Sequence, residues 1–418
     1  MISYEEFCKK AETRIRARPR RHAVITLNID NFQLLGLLIG QSECEAVLET
    51  VGHVVEKSLE GRGVSTLKYA DVFVVVMEYE DKASLVRWCE RIATTLEGIE
   101  TERLNGFMLK PTIGIYIVRP EDTTFSDMQI RSVIARRFIK NRFEKHYNFF
   151  GEEMAEEVKS RKRLLDGIKR ALRNGEFQPW FQPIYDAQTM ELVSAEALIR
   201  WTTDEGKQIM PGDFIDFAEE IGIITAIDDY MLNAVCEKQA QWQKQGLSIV
   251  PVSVNISRQQ LHWPGVVDCC RTTLHYHGLT AKQIRMEITE GTLSKEREVS
   301  GAVVDELMAW GIRVLIDDFG TGYSSLRMLK RFTMSMLKID KSFVDDMSIT
   351  GKEFIKCILQ MAQLKGMKTI AEGVETRMQY EFLKQCGCDM IQGYYTGKPQ
   401  SAAIFARTLA SRRAQSTP

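Results

Sequence analysis

The sequence lacks any long hydrophobic run, and its charges are almost balanced. The longest apolar stretches, Leu34 to Ile39 and Val72 to Met77, fall short of the ~18 to 20 residues that span a membrane. The N-terminus carries no hydrophobic leader segment, so we expect no secretory signal. With 55 basic and 56 acidic side chains, the formal net charge is −1. This balance argues against a protein built to coat DNA or RNA, but not against a small anionic ligand.

The cysteines form no recognisable metal or disulfide framework. They number nine, an odd count, and no CxxC pair occurs. Cys269-Cys270 and Cys386-Gly-Cys388 have no second pair to complete a zinc site. Free thiols in a reducing cytoplasm are therefore expected. The basic run from Lys9 to Arg21 is interrupted by Glu12, which favours a solvated helix face over a nucleic-acid or lipid contact.

The 418 residues, 44% apolar and 27% charged, are typical of a globular chain of two or three domains. Residues 1–150 predict a small α/β domain, with a strand over His22 to Asp30 and a hairpin turning at Ala70-Asp71. A charged amphipathic helix over Glu152 to Asn174 predicts a connector at residues 151–175.

From residue 176 onward, short apolar runs alternate with helical segments. Repeated strand-then-helix units favour a parallel sheet, and eight of them predict an α/β fold with a closed, TIM-like (β/α)8 barrel at residues 176–408, followed by a polar tail at 409–418. The eight runs are Trp180 to Tyr185, Val193 to Leu198, Val252 to Ile256, Ile284 to Ile288, Val314 to Ile316, Met336 to Ile339, Lys368 to Ala371 and Met390 to Gln392.

Polar side chains lie in or directly after these predicted strands, and in a barrel the carboxyl ends of the strands share the face that carries the active site. The set comprises Glu196, Arg200, Asn255, Glu287, Glu290, Asp317, Asp318, Lys338, Glu372 and Gln392. Clustered carboxylates repel one another unless cations are present. Oxygen ligands without histidine favour Mg²⁺ or Mn²⁺, and Asp317-Asp318 suits two ions, as in phosphodiester hydrolysis. Any one acid could instead cap a helix, but the whole series is not explained that way.

The segment from Asp317 to Leu326 follows a strand and precedes a helical pattern. Its glycines at 320 and 322 allow backbone N–H groups to face an anion. A lid over the acidic residues is the alternative interpretation.

Seven short motifs occur in order between residues 176 and 405. They are Glu196-Ala197-Leu198-Ile199-Arg200-Trp201, Asn255-Ile256-Ser257, Glu287-Ile288-Thr289-Glu290, the run from Asp317 to Leu326, Leu337-Lys338-Ile339-Asp340, Ala371-Glu372-Gly373-Val374-Glu375-Thr376 and Gln392-Gly393-Tyr394. Together they resemble the EAL family of cyclic-di-GMP phosphodiesterases.

The resemblance implies a role for each motif residue. Glu196, Asn255, Glu287 and Asp317 would hold one metal ion, and Asp317, Asp318 and Glu372 would serve a second. Lys338, Glu372, Asp318 and Glu290 would take part in catalysis, Lys338 at the attacking water or the phosphate and Glu290 by fixing the 319–325 loop. Cyclic-di-GMP would be bound by Gln182, Leu198, Arg200, Glu375, Gln392 and Tyr394. Hydrolysis would give linear pGpG, and the family implies a homodimer through the barrel.

The first domain resembles a GGDEF diguanylate cyclase domain in altered form. Its hairpin signature aligns with Tyr69-Ala70-Asp71-Val72-Phe73, where two glycines and the glutamate are replaced. The metal-binding acid of the first strand falls on Asn28. We therefore expect no cyclase activity and instead a regulatory or dimerising role, with GTP as a possible ligand.

Two alternatives to an enzyme remain at this stage. One is a catalytically silent receptor that binds cyclic-di-GMP and signals by a conformational change. The other is a protein-interaction scaffold in which both domains are structural. The complete set of family acids favours the enzyme, because silent relatives are expected to lack some of them.

Overall fold

The computed structural model describes residues 2–18, 21–99, 104, 106–139, 145–289, 299–320 and 334–415. The chain divides into two compact units, Met1–Lys162 and Arg163–Pro418. The division falls within the helix Glu152–Asn174, whose bounds agree with the sequence pattern.

The first unit is a five-stranded sheet with helices on both faces. The strands are β1 His22–Ile29, β2 Gly63–Tyr69, β3 Val72–Glu78, β4 Pro111–Ile117 and β5 Tyr147–Phe149. Their order in the sheet is β2-β3-β1-β4-β5, and all neighbours are antiparallel except the parallel pair β4–β5. Alternate residues of β1 enter opposite cores, Ile25 on one face and Val24 on the other, as strand periodicity requires. The helices of this unit are Tyr4–Ala17, Phe32–Ile39, Gln41–Ser58, Lys82–Glu97 and Phe125–Arg137.

The second unit is the predicted barrel, with one correction. Its strands are β6 Phe177–Asp186, β7 Leu192–Thr202, β8 Gln208–Ile209, β9 Val252–Asn255, β10 Ile284–Thr289, β11 Arg313–Phe319, β12 Met336–Ile339, β13 Lys368–Ala371, β14 Met390–Gln392 and β15 Gln400–Ser401. Their order in the sheet is β15-β6-β14-β13-β12-β11-β10-β9-β7-β8, and a further pairing of β6 with β7 closes the barrel.

The first barrel strand does not follow the predicted all-parallel pattern. β6 is antiparallel to both of its barrel neighbours, β7 and β14. The reason is the short connection from Asp186 to Leu192, where Asp186 accepts hydrogen bonds from the backbone N–H groups of Gln188 and Thr189. A turn of this length joins antiparallel strands, whereas parallel strands need a longer crossover.

Helices surround the barrel, and apolar side chains fill its interior. The inward-facing side chains of Ile184, Leu315, Met336, Ile370 and Met390 form a separate core inside the strands. The surrounding helices are Ile215–Glu220, Ile224–Lys244, Arg258–Leu261, Val266–Tyr276, Val299–Trp310, Lys341–Asp345, Ile349–Leu364, Arg377–Gln385 and Ala402–Gln415. The last helix continues beyond residue 408, where the sequence pattern ended the barrel, and it buries Leu409.

Candidate active site

A β-bulge places the paired aspartates at the mouth of the barrel. β11 and β12 pair at Ile316 and Leu337, and pairing resumes at Phe319 and Ile339. Asp317 and Asp318 therefore lie opposite a single residue, Lys338. Asp318 adopts a φ of 53°, in the left-handed region that non-glycine residues rarely occupy. Bulges and strained residues of this kind concentrate at functional sites.

Lys338 lies at the centre of the acidic cluster, and its side chain is 1% exposed. Its Nζ is 2.7 Å from Glu287 Oε2 and 3.2 Å from Glu196 Oε2. The same atom is 3.0 Å from Asp317 Oδ1 and 2.5 Å from Glu372 Oε1. One ammonium group thus contacts carboxylates from four strands or strand ends.

The cluster shifts the ionisation of its own members. Burial opposes the charge on Lys338, but the four carboxylates outweigh burial and hold its pKa well above the usual value. Burial, and then the charge of Glu196, raise the pKa of Glu287 well above the usual value. Burial raises the pKa of Glu372 to about 7, and that of Asp318 also rises. Carboxyl groups with raised pKa values can therefore lose their protons when cations bind beside them.

Two overlapping groups of carboxylates could hold metal ions. Oxygens of Glu196, Glu287 and Asp317 lie within 4.8 Å of one another, and so do those of Asp317, Asp318 and Glu372. Asp317 belongs to both groups. Glu287 Oε1 is buried and accepts no hydrogen bond from the described residues, so it offers an unused acceptor. This all-oxygen donor set fits hard divalent cations such as Mg²⁺ or Mn²⁺.

Amide side chains hold Glu196 in place. Gln392 Nε2 donates to Glu196 Oε2 at 2.6 Å, and Asn255 Nδ2 donates to Glu196 Oε1 at 3.4 Å. Gln392 Nε2 also donates to Gln182 Oε1 at 3.2 Å. Thus four residues that are distant in sequence, Gln182, Glu196, Asn255 and Gln392, form one hydrogen-bonded group.

A cavity of about 290 Å³ lies beside these acids and is lined by Leu198, Arg200 and Asn255. Arg200 is held at the edge of the mouth, with its guanidinium carbon 5.8 Å from the centre of the Trp180 ring. Burial lowers the pKa of Arg200. A cation beside apolar side chains suits a planar, anionic ligand.

The same cavity contains a carboxyl group that the sequence analysis missed. Burial raises the pKa of Asp228 to about 7, and its Oδ2 accepts a hydrogen bond of 2.9 Å from the backbone N–H of Ser257. Asp228 lies in the helix Ile224–Lys244, one residue after the buried Ile227. The only sequence signal was an acid at the edge of an apolar helical face.

The remaining candidates lie further from the acidic cluster or outside the described residues. Glu375 Oε1 accepts a hydrogen bond of 2.8 Å from Lys341 Nζ. Tyr394 is 58% exposed, with Lys398 Nζ 5.1 Å from its ring centre. Glu290 and the greater part of the 319–325 loop are not among the described residues.

The hairpin of the first unit has its own polar network. Asn28 Nδ2 donates to Asp71 Oδ2, and Arg136 Nη1 donates to Asn28 Oδ1 at 2.5 Å. A guanidinium group therefore lies beside the hairpin, where the sequence analysis had aligned the metal-binding position of a cyclase with Asn28.

Among the described residues, no helix is long and apolar enough to span a membrane.

Comparison with known proteins gives two family matches. Residues 166–399 match the EAL domain, and residues 3–143 match the diguanylate cyclase GGDEF domain. The bifunctional diguanylate cyclase/cyclic di-GMP phosphodiesterase MucR of Pseudomonas aeruginosa is 28% identical over 393 residues, which is 94% of this chain and 57% of MucR. The cyclic di-GMP phosphodiesterase PdeR of Escherichia coli is 30% identical over 387 residues, 92% of this chain and 58% of PdeR.

The chain spans about half the length of the curated relatives it matches. Among solved structures, the PaMucR phosphodiesterase in complex with c-di-GMP is 34% identical, with a TM-score of 0.55. The match covers 58% of this chain and 99% of that chain.

Proposed function

The chain belongs to the EAL domain family, and on that premise we propose that it hydrolyses cyclic di-GMP to linear pGpG with the help of two divalent cations. The observation that carries the proposal is Asp317, whose carboxylate belongs to two adjacent acidic groups at the mouth of the barrel. The 34% identity to a phosphodiesterase solved with c-di-GMP supports the choice of substrate.

We propose Mg²⁺ or Mn²⁺ as the ions. Glu196, Asn255, Glu287 and Asp317 would hold one ion, and Asp317, Asp318 and Glu372 the other. When bound, such ions lower the pKa of a water molecule and neutralise a phosphate. The chain's own residues supply the rest of the chemistry.

Lys338 is a permanent positive charge within the acidic cluster. Its raised pKa keeps it protonated at neutral pH. A buried ammonium group can stabilise the negative charge that develops on the phosphate as water adds across one phosphodiester bond. Its buried position among four carboxylates limits its motion and therefore preorganises that charge.

Substrate binding is assigned to the cavity beside the acids. Arg200 would contact the anionic or guanine part of the dinucleotide, and Leu198 would contact its apolar face. Gln182 and Gln392 would orient Glu196 through their hydrogen bonds. Glu375 and Tyr394, which are more exposed, would contact the ligand from the rim, and Glu290 would fix the 319–325 loop.

The test is a turnover assay on the full chain. Protein is incubated with cyclic di-GMP and Mg²⁺ or Mn²⁺, with and without EDTA, and the products are separated by chromatography. Linear pGpG should form and should disappear in EDTA. Glu196→Ala should abolish turnover, whereas Glu353→Gln, a surface change at a residue paired with Lys356, should not. Equal rates for Glu196→Ala and the parent protein would overturn the proposal.

The role of the first unit is tested in the same assay. The guanidinium of Arg136 puts a positive charge beside Asn28 and Asp71, which argues against a metal ion there and so against cyclase chemistry. We propose a regulatory or dimerising role for this unit instead. Added GTP that changes the rate of pGpG formation would identify GTP as the regulator. A homodimer through the barrel is proposed as well, and light scattering that finds only monomer under turnover conditions would contradict it.

We propose a cytoplasmic location for this activity, because the cysteine spacing in the sequence forms no disulfide framework. All nine cysteines are described, and all nine are free thiols. Burial raises the pKa of Cys89, Cys236, Cys270 and Cys388, which keeps these thiols unreactive.

A further inference from the structure

A second polar layer lies inside the barrel, next to the proposed active site and closer to the amino-terminal ends of the strands. On β10, Arg285 precedes Glu287 by two residues, so both side chains lie on the same face of the strand. The intervening Met286 and the following Ile288 belong to the core between strands and helices. Arg285 therefore faces the barrel interior, closer than Glu287 to the amino-terminal end of the strands.

Arg285 is a buried cation without a protein acceptor for most of its donors. The residue is 5% exposed. Its Nε and Nη1 atoms are buried and have no hydrogen-bond partner within the described parts of the chain. Burial, and then the charge of Arg313, lower its pKa to about 10, so the side chain remains charged at neutral pH. An uncompensated buried charge is strongly unfavourable.

The register partners of Arg285 supply a hydroxyl group and a second positive charge, but no negative charge. Its register partners are Ser253 on β9 and Arg313 on β11. Ser253 Oγ is buried and unpaired among the described residues, and so is Ser194 Oγ on β7. The charge of Glu287 acts on Arg285, but its Oε2 is 2.7 Å from Lys338 Nζ, and its Oε1, like Arg285 Nε and Nη1, has no hydrogen-bond partner among the described residues.

We propose that the barrel floor, defined as Ser253, Arg285 and Arg313, which are register partners on adjacent strands, binds a small inorganic anion of the halide class. The guanidinium N–H groups of Arg285 and the hydroxyl of Ser253 would donate to it, and Arg313 would add positive charge from the exposed side. The anion must be small, because Ile184, Leu315 and Met336 occupy the interior next to this layer. The proposal is independent of the phosphodiesterase activity.

Two measurements on the full chain test the site. Crystals soaked in sodium bromide should show an anomalous peak within hydrogen-bond distance of Arg285 Nε or Nη1. In solution, chloride or bromide should raise the melting temperature by roughly 3 to 6 °C over gluconate at constant ionic strength, the shift for an anion at about ten times its Kd. Water density without an anomalous signal would overturn the proposal. A peak without a melting shift, which means binding at crystal concentration only, would overturn it as well.

Variants distinguish halide binding at this site from a general effect of salt on stability. Arg285→Gln and Ser253→Ala should each lose most of the halide-specific shift, whereas Arg271→Gln, which removes a positive charge from the surface helix Val266–Tyr276, should retain it. If Arg285→Gln fails to fold, Ser253→Ala and the bromide crystal decide the question. A halide-specific shift that is unchanged in Ser253→Ala and in any folded Arg285 variant would contradict the assignment.

Discussion

Replacing Lys338 with methionine should make the stability of the barrel depend on divalent cations. The lysine Nζ lies between 2.5 and 3.2 Å from carboxylate oxygens of Glu196, Glu287, Asp317 and Glu372. Methionine has a similar length but no charge, so the variant would leave these carboxylates without their shared counter-ion. Removing one partner of a buried ion pair costs about 3 to 5 kcal/mol.

The loss has an upper limit, because the carboxyl groups can take up protons. The pKa of Glu287 is already well above its usual value, and that of Glu372 is about 7. In EDTA we therefore expect Lys338→Met to unfold at a temperature roughly 6 to 20 °C below the parent, using about 2 to 4 °C per kcal/mol for a domain of this size. Added Mg²⁺ or Mn²⁺ should recover a large part of the difference, because the ions would replace the missing charge.

The assay is differential scanning calorimetry of both proteins in EDTA and in each metal. Lys356→Met is the matched control, since Lys356 contacts one carboxylate, Glu353, at 2.7 Å on the surface. That change should cost about 1 kcal/mol or less. If Lys338→Met in EDTA melts within a degree of the parent, Lys338 does not compensate the cluster and the electrostatic argument is refuted. In the turnover assay, Lys338→Met should lower kcat by about 10²- to 10³-fold.

Three further changes test other parts of the site. Gln392→Ala removes the 2.6 Å hydrogen bond to Glu196 and should weaken metal affinity or activity by about 10- to 100-fold, as measured by metal titration of turnover. Asp228→Asn should stabilise the protein at pH 8 but not at pH 3. The raised folded-state pKa of about 7 means that the parent loses up to about 4 kcal/mol of stability through this residue as pH rises from about 4 to 7. Urea unfolding at several pH values should show a shallower fall in the variant, in which the raised pKa values of Glu287 and Glu372 still contribute. Arg200→Lys should raise KM more than it lowers kcat, because lysine cannot reproduce a planar guanidinium contact, and steady-state kinetics that show only a loss of kcat would contradict a binding role.

Several features of the fold followed from local pattern. The helix Glu152–Asn174 and the strands Met336–Ile339 and Lys368–Ala371 have the bounds that periodicity and stop signals predicted. The predicted direction of the first barrel strand was wrong, because a series of apolar runs does not show whether a turn or a crossover helix joins two of them. The short turn after Asp186 decided that direction.

The roles of individual site residues remain predictions, although the structure brings many of them together. Glu196, Glu287, Asp317, Lys338 and Glu372 meet within one cluster. Glu375 and Tyr394 are not part of this cluster. Glu375 is paired with Lys341, and the Tyr394 ring lies close to Lys398. Asp228 was missed because a single acid in a helix gives no periodic signal.

The sequence alone determined which chemistry is available. Each strand is visible as a short apolar run, and acids and amides lie in or directly after successive runs. Only the tertiary structure decided how that chemistry is arranged. The bulge that sets Asp317 and Asp318 opposite Lys338 depends on the pairing of two strands. The burial of Arg285 beneath Glu287 depends on closure of the whole barrel. Local pattern encodes the type of each element, but charge compensation depends on residues that lie far apart in the chain and meet only when it folds.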